Sequence, residues 1–378
     1  MGSNPFLRGL QGDGPVIRVR TPAGDEAWLI TRHAEIRKLL LDRRIGRSHP
    51  DPAHAPRYHQ NPMLDMMRGG SDFATEPDVH AGLRMLLTPH FSGRNMDALQ
   101  PKLAPMVTEA VAQFAAQEPP VDIHSQFSTR LTAQVIGELL GVPREDQPGL
   151  PAFVHQLAAL ADVQGAESGR DTLFGYMHEL AASKRAEPAD DVLSGIVRNG
   201  CTDEQAAMIG IMLVFAGLGS TSTHTTLGVA RIGSDLALRD RLIADPGLMK
   251  SAVDEFLRAS SDSGPIFPHY AREDIELAEV TIRAGDLVLL NYGLANFDER
   301  AFPAPDEVDI TRSPNPHLSF AYGMWHCAGA PLARMHLTMT FNALLAALPT
   351  LRLAKPLADA GRSPDFLGGG LAEMLVTW

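Results

Sequence analysis

Apolar residues recur at helical spacing along most of this chain. The ranges that carry them on one face are 33–42, 96–117, 127–142, 151–163 and 171–186, and each is predicted to form a helix. A longer helix is predicted to begin at Thr202, because Thr202 and Gln205 have the spacing of a capping box. Helices therefore account for most of the predicted structure.

Strand-like patterns are confined to two short parts of the chain. Residues 16–31 and 275–292 each predict a β-hairpin. The sequence contains no internal repeat and no Gly/Ser-rich or Pro-rich linker that would divide it. Although 378 residues is long for a single core, we expect one large domain over residues 1–378. This domain is predicted to be mainly α with small β-sheets in the regions 16–31 and 265–292.

The long helix changes character near its middle. Residues 206–216 are apolar on every face, which predicts a path through the interior. Gly217, Gly219 and hydroxyl residues at 220–223 follow, although a glycine costs a helix about 1 kcal/mol and a buried hydroxyl needs a partner. This patch indicates either a ligand lying against the backbone or hydroxyls that bond back to preceding carbonyls and only bend the helix.

Acidic residues outnumber basic residues, 45 to 33, and give a formal net charge of −12. This balance argues against nucleic acid as the main partner. No stretch reaches the roughly 18 uninterrupted apolar residues of a membrane span, and the N-terminus lacks a hydrophobic signal region. The sequence therefore predicts a cytoplasmic protein that binds neither nucleic acid nor membrane.

The candidate chemistry lies around one of two cysteines. Two cysteines make no disulfide framework, and Cys201, in a loop before a helix, is interpreted as structural. Cys327 stands in FAYGMWHCAGAPLAR (320–334), just before a helix predicted to begin at 330–331. The positive end of that helix favours a thiolate over a thiol. The residues alone leave three interpretations: a metal-bound thiolate, a nucleophile with His326 as its base, or a buried core cysteine.

The loop around Cys327 has the pattern F-x-x-G-x-x-x-C-x-G, formed by Phe320, Gly323, Cys327 and Gly329. This pattern resembles the haem-binding loop of the cytochrome P450 family. Other segments resemble the family in the same order: His80 and Arg84 its propionate-binding helix, residues 216–221 its oxygen-binding helix, and Glu255 and Arg258 its E-x-x-R pair. The resemblance implies the cytochrome P450 fold over nearly the whole chain.

The resemblance also implies a cofactor and a set of site residues. The cofactor is haem b (iron protoporphyrin IX), with the Cys327 thiolate as axial ligand to iron, which favours O–O bond cleavage. The other residues implied at the haem are His80, Arg84, His269, Phe320, Gly323, Trp325, His326 and Gly329. The implied catalytic residues, on the oxygen side, are Ala216, Gly217, Gly219, Ser220 and Thr221. Arg312 is the implied partner of the Glu255–Arg258 pair.

Four positions depart from the family pattern. Gly219 and Ser220 stand where the family usually has an acid followed by a threonine, the pair that relays protons to dioxygen. Trp325 stands where the family often has histidine or arginine, and His269 where it often has arginine. We therefore expect an altered proton route and a haem held with less fixed positive charge.

The resemblance implies a haem-thiolate monooxygenase of the bacterial, ferredoxin-dependent type. Its electrons are expected from a ferredoxin and an NAD(P)H-dependent ferredoxin reductase. The predicted substrate is a hydrophobic natural product of secondary metabolism. The residues expected to line its pocket are 62–67, Met212, Phe215, Ala216, 265–267 and 366–371. Two alternatives stay open: oxidative coupling of aromatic side chains in a small peptide, and a haem-thiolate binding or sensing protein without turnover.

Overall fold

The computed structural model describes residues 5–69, 72–160, 162–260, 268–357, 362–363, 370–371 and 373–378. Its helices are α1 (Pro5–Asp13), α2 (His33–Leu41), α3 (Pro62–Gly69), α4 (Glu76–Leu87), α5 (Gly93–Ala115), α6 (Thr129–Leu140), α7 (Leu150–Ala158), α8 (Val163–Ala186), α9 (Val192–Arg198), α10 (Asp203–Ser234), α11 (Leu236–Ala244), α12 (Met249–Arg258), α13 (Tyr292–Ala295) and α14 (Ala330–Ala347). Its strands are β1 (Val16–Arg20), β2 (Glu26–Ile30), β3 (Ile45–Gly46), β4 (Val121–Asp122), β5 (Pro268–Ala271), β6 (Ile275–Leu277), β7 (Val280–Ile282), β8 (Leu287–Leu290), β9 (Arg352–Leu353), β10 (Arg362–Ser363), β11 (Gly370–Leu371) and β12 (Leu375–Thr377). The predicted fold class, mainly α with small β-sheets, is confirmed.

Most predicted helices form where the apolar periodicity placed them, as α2, α5 and α6 do. The helix predicted over 151–163 is wrong at its end, because α7 stops at Ala158 and α8 begins at Val163. The physical reason is Asp162, whose carboxylate accepts the N–H of Gly165 at 2.8 Å and caps the start of α8.

The chain forms two compact units. The first comprises residues 1–84 and 254–327, and the second comprises residues 85–253 and 328–378. The single domain expected over residues 1–378 stays a prediction.

The first unit is built on a five-stranded sheet with the order β1-β2-β8-β5-β3. β1 and β2 form the hairpin predicted at 16–31, in which Gly24 has a φ of +93°. The hairpin predicted over 275–292 is only partly right. β6 and β7 pair with each other, whereas β8 lies parallel to β2 and antiparallel to β5. All four residues of β8 are apolar and buried, as expected of a strand inside a covered sheet.

The apolar core of the first unit joins α2 to this sheet. Ile36 and Leu39 of α2 are fully buried in one cluster with Ile30 and Val288 of the sheet. Full burial of each such side chain contributes roughly 1.5–3 kcal/mol. Trp325, from the predicted haem-binding loop, packs in the same cluster. The core therefore fixes the segment that leads to the candidate cysteine.

α10 is the long helix of the second unit and packs against α6, α8 and α14. Its capping box is present as predicted: the Thr202 hydroxyl accepts the Gln205 N–H at 3.2 Å, and the Gln205 side chain accepts the Thr202 N–H at 3.0 Å. The expectation of burial on every face over 206–216 is wrong, because Ala216 is exposed and Phe215 is only half-buried. One face of α10 is therefore open.

α10 is also long and apolar enough to cross a membrane by length and composition, as no other helix in the described part of the chain is. The core helix of a soluble protein passes the same test. The helices α6, α8 and α14 are among those that pack against α10, so part of its apolar surface is covered within the second unit.

His336 of α14 is a buried titratable group outside the predicted site. It is 1% exposed, and neither ring nitrogen has a hydrogen-bond partner among the residues that the structure describes. Burial lowers the pKa of His336 to about 4, because an imidazolium there would be desolvated.

Replacing His336 with methionine is expected to remove part of the acid sensitivity of folding. Between about pH 6.5 and pH 4 the unfolded chain binds a proton at this histidine and the native chain does not, so its contribution to stability is complete above this window and falls with pH. The loss at about pH 5 is roughly 2 kcal/mol. Urea unfolding measures the free energy of unfolding of both proteins. The difference, variant minus unmodified protein, should rise by about that amount when the pH is lowered from about 8 to about 5. The control His155→Gln, exposed on α7, should show no such gain, and identical pH profiles for His336→Met and the unmodified protein would refute the assignment.

Candidate active site

Cys327 lies at the end of a tight loop that is closed by its own backbone. The Cys327 N–H donates to the carbonyl of Phe320 at 2.8 Å, and the His326 N–H donates to that of Gly323 at 3.2 Å. Gly323 has a φ of +60°, and a Cβ there would lie 3.1 Å from the carbonyl oxygen of Leu40. Both observations favour glycine at 323. Cys327 itself is exposed, so the interpretation as a buried core cysteine is wrong.

A buried ion-pair network lies in the same unit as this loop. The Arg258 Nε and Nη2 atoms donate to the Glu255 carboxylate at 2.8 and 2.7 Å, and both side chains are fully buried. Arg312 Nε lies 3.2 Å from the same carboxylate. The structure therefore contains the trio that the family resemblance implies.

Hydrogen bonds also tie the end of α12 to the start of the loop. The Ser319 hydroxyl donates to the carbonyl of Leu257 at 2.9 Å. Asn296 bridges the two neighbouring loop residues: its amide NH₂ donates to the Ser319 hydroxyl at 2.9 Å, and its oxygen accepts the Leu318 N–H at 2.7 Å. The network therefore sets the position at which the loop begins.

Trp325 is the centre of a group of predicted haem residues. Its ring centroid lies 4.5 Å from that of His80 and 5.4 Å from that of His269. The guanidinium carbon of Arg47 lies 4.9 Å from the same ring centroid. Trp325 is 7% exposed, and its indole N–H has no acceptor among the described residues. The structure brings three predicted residues together and adds Arg47, which the sequence did not indicate because it belongs to no motif.

Two arginines set the electrostatics of this group. Arg84 Nη1 donates to the carbonyl oxygen of His326, next to Cys327. Burial lowers the pKa of His80, and the positive charges of Arg47 and Arg84 lower it further. His80 therefore favours its neutral form, and the arginines carry the positive charge of the group.

The residues predicted on the oxygen side lie along the middle of α10, in the second unit. Ala216 and Ser220 are exposed on its open face, whereas Ser222 is 3% exposed. The Ser220 hydroxyl donates to the Ala216 carbonyl at 2.6 Å, and the Thr225 hydroxyl donates to the Thr221 carbonyl at 2.8 Å. Ser220, and Ser222 through its bond to the Gly219 carbonyl at 3.1 Å, thus bond back to the helix, as one interpretation predicted. The open face is compatible with the other interpretation, a ligand against the backbone.

The two glycines of this segment have different neighbours. A Cβ at Gly217 would meet Ile136 of α6 at 2.7 Å, whereas a Cβ at Gly219 would find its nearest neighbour, Val154, at an ordinary 3.8 Å. Gly217 therefore serves the close packing of two helices. At Gly219, by contrast, a Cβ would make only ordinary van der Waals contact.

The donor set fits haem b. Cys327 offers a single exposed sulfur, which suits an iron that its own macrocycle already ligates. Gly329, at the N-cap of α14, completes the loop pattern beside it. The buried indole N–H of Trp325 and the neighbouring arginines suit the carboxylates of protoporphyrin.

Part of the predicted substrate pocket lies outside the described residues: 265–267, 366–369 and the side chains of Met66 and Met67. Met63 is 1% exposed and packs in the interior. Met212 and Phe215 are half-buried on α10, and their place in a pocket stays a prediction.

Known proteins match this chain from end to end. The cytochrome P450 family model matches residues 230–349. Pentalenolactone synthase of Streptomyces exfoliatus is 36% identical, over 100% of this chain and 96% of its own. The mycinamicin IV hydroxylase/epoxidase of Micromonospora griseorubida is also 36% identical, over 98% of this chain and 94% of its own.

Solved structures agree with these relatives. The X-ray structure of substrate-free cytochrome P450 PimD, a polyene macrolide antibiotic pimaricin epoxidase, superposes with a TM-score of 0.91 at 43% identity, over 100% of this chain and 96% of that one. An exposed cysteine in a closed loop, a buried E-x-x-R trio and full-length relatives lead to one conclusion. This chain belongs to the cytochrome P450 family and is a haem-b-dependent oxidoreductase.

Proposed function

We propose that this chain is a ferredoxin-dependent monooxygenase that inserts oxygen into a large hydrophobic natural product of the macrolide type, by hydroxylation or epoxidation. The open face of α10 carries the proposal, because exposed small residues on an otherwise apolar helix suit an apolar ligand of large area. The structural relative that is an epoxidase of the polyene macrolide antibiotic pimaricin supports the substrate class, and the mycinamicin IV hydroxylase/epoxidase supports the reaction type. The protein is proposed to act in the cytoplasm, with a separate ferredoxin and NAD(P)H-dependent ferredoxin reductase.

Cys327 is proposed to bind the haem iron through its Sγ atom, and the bound haem supplies the activation of dioxygen. The loop that is closed by the Cys327-to-Phe320 hydrogen bond holds that sulfur in one place. His80, Arg84, His269, Trp325 and His326 are proposed to hold the cofactor's carboxylate side. Phe320, 9% exposed, is proposed to limit access of water to the sulfur.

Ser220 is proposed to be the hydroxyl that delivers the proton. Its hydrogen bond to the Ala216 carbonyl fixes the hydroxyl on the open face, and rotation about Cα–Cβ would redirect the O–H away from the helix. The neighbouring Gly219 has no carboxyl group. Water or the substrate's own hydroxyls must therefore return a proton to the Ser220 hydroxyl.

The proposed function is tested by turnover with a ferredoxin, its reductase and NADPH on a panel of macrolides under ¹⁸O₂. A product that is heavier by one ¹⁸O atom supports oxygen insertion. A coupled product without ¹⁸O supports the alternative of aromatic coupling. Binding of macrolides with a spectral shift but without product, across the panel, supports the non-turnover alternative.

Replacing Ser220 with alanine is expected to lower product formation by roughly a hundredfold, at the low end of general acid catalysis. NADPH consumption should fall much less, so product formed per NADPH should drop. Ser222→Ala is the matched control: Ser222 also bonds back to the helix, at 3.1 Å, but is buried, and its coupling ratio should stay unchanged. If both variants or neither lost coupling, Ser220 would not be the proton-delivering group.

A further inference from the structure

Glu76, the first residue of α4, has a buried carboxylate that several groups bind. It accepts the N–H of Arg47 at 2.6 Å, the hydroxyl of Ser48 at 2.5 Å and Nη1 of Arg272 at 2.8 Å. The Glu76 side chain is 8% exposed, and that of Arg272 is 14% exposed. These donors follow β3 and β5, which lie side by side at one edge of the five-stranded sheet. The carboxylate therefore joins the start of α4 to the sheet.

Arg272 is fixed at this junction by three further contacts. Its backbone N–H donates to the carbonyl of Arg44 at 2.7 Å. Its Nη2 atom donates to the carbonyl of Phe73, and its guanidinium carbon lies 3.9 Å from the centroid of the Phe73 ring. A planar guanidinium can pair with a carboxylate and stack on a ring at the same time, which a lysine ammonium cannot. Arg272 therefore ties the turn before α4 to the end of β5.

Gly46 of β3 provides the space that the ion pair occupies. A Cβ at this position would lie 2.5 Å from Glu76 Oε2 and 3.1 Å from Arg272 Nη1. The first of these distances is too short for such atoms, so a side chain at 46 would push the carboxylate aside. The sheet edge and the buried ion pair thus fit each other.

The face of α4 that carries Glu76 also contacts the cysteine loop. Glu76, His80 and Arg84 stand four residues apart, so their side chains share one face of the helix. The His80 ring centroid lies 4.5 Å from that of Trp325, and Arg84 Nη1 donates to the carbonyl oxygen of His326. A helix rises about 12 Å over eight residues. A tilt of α4 at Glu76 would therefore shift both contacts with the loop.

We propose that Glu76 and Arg272 are positioning residues of the haem-thiolate site: they fix the orientation of α4 and thereby hold the loop that presents the Cys327 sulfur. This inference rests on the haem-thiolate assignment of the proposed function. Neither residue needs to touch the cofactor, because the contacts that His80 and Arg84 make with the loop transmit the effect. Loss of the pair should let the sulfur leave the iron more readily, even while the fold persists.

The test follows the thiolate ligand and the fold separately. The reduced carbon monoxide complex is kept at a urea concentration well below the unfolding midpoint of every variant, and the decay of the red-shifted Soret band is timed. Glu76→Gln should accelerate this decay roughly tenfold to a hundredfold, as expected for loss of a hydrogen bond to a charged group. Arg272→Met should do the same. The double variant should decay at most about threefold faster than either single variant, because the two side chains act as one pair.

Gly46→Ala tests the same junction without removing either partner, so the inference stays testable if Glu76→Gln does not fold. The added methyl group meets the end of a flexible side chain, so the carboxylate moves and the backbone can stay in place. This overpacking should accelerate the decay of the band roughly tenfold.

Asp298→Asn is the matched control. Asp298 also has a buried carboxylate in the first unit, which accepts the N–H of His33 at 3.0 Å and pairs with Arg32 at 3.4 Å. These partners stand at the start of α2 and not on α4. The substitution should therefore lower the free energy of unfolding, as Glu76→Gln does, and leave the decay rate of the band unchanged.

Two results overturn the inference. One is a decay rate that simply follows the loss of unfolding free energy in every variant, Asp298→Asn included, because the pair would then be only structural. The other is an unchanged decay rate in both Glu76→Gln and Gly46→Ala. The unmodified holoprotein separates these results from a failure of the proposed function. If it shows the red-shifted band, they remove only the positioning role, whereas absence of the band removes both.

Discussion

Replacing Cys327 with serine is expected to abolish the strongly red-shifted Soret band of the reduced carbon monoxide complex and, with it, product formation. A hydroxyl is a far weaker donor to iron than a thiolate, which pushes electron density onto the metal and favours O–O cleavage. The loss of activity should exceed the roughly 10- to 100-fold loss that follows removal of a metal ligand's own hydrogen-bond partner. The fold should survive, because Cys327 is exposed and the loop is closed through its backbone.

The chain supplies its own control for this experiment. Cys201→Ser changes the other cysteine, which lies before α10 and is half-buried, and it should leave both spectrum and turnover unchanged. An unchanged red-shifted band in Cys327→Ser would mean that another residue binds the iron. A shifted band in Cys201→Ser would point to that residue.

Replacing Glu255 with glutamine is expected to prevent accumulation of folded holoprotein. The substitution leaves the Arg258 guanidinium buried at 0% exposure with no counter-charge from position 255. Removing one member of a buried ion pair costs about 3–5 kcal/mol, which is a large part of the roughly 5–15 kcal/mol that stabilises a typical domain. Thermal unfolding and the yield of haem-loaded protein measure the effect.

Arg258→Lys should be nearly as damaging, although it keeps the charge. Arg258 also donates to the carbonyls of Asn296 at 2.9 Å and Pro305 at 2.8 Å, and a lysine ammonium cannot reproduce this planar fork. The control is Arg283→Gln, which breaks an exposed pair with Asp274 in the same unit and should change the thermal unfolding temperature little, because water and salt screen such a pair. Equal, small effects of all three substitutions would show that the buried network is not a stabilising one.

The parts of the site that depend on local chemistry could be predicted from the sequence. The Cys327 loop is specified by a glycine pattern, and the structure shows why at Gly323, where both φ and the nearby Leu40 carbonyl disfavour a side chain. The Glu255–Arg258 pair follows from i, i+3 spacing on a helix. The capping box of α10 is likewise local, since Thr202 and Gln205 satisfy each other's backbone.

The parts that depend on distant partners could not be predicted. Residues 206–216 are uniformly apolar, so their periodicity contains no signal for the face that stays open. The run that forms β8 predicts a strand but not its neighbours, which are β2 and β5 rather than β7. Arg47 meets Trp325 only because the sheet brings residues far apart in sequence together, and no spacing rule connects them.

The five-stranded sheet also has a consequence for how the protein is made on the ribosome. β2 pairs with β8, whose residues Leu287–Leu290 follow β2 by more than half the chain. At roughly 5–20 residues per second, the completed β1–β2 hairpin waits on the order of ten seconds to a minute for that partner. An isolated hairpin is marginally stable, and its unpaired edge is a template for wrong pairing. The hairpin is therefore exposed to wrong pairing until translation has passed Leu290. Slowing translation before that point lengthens this interval.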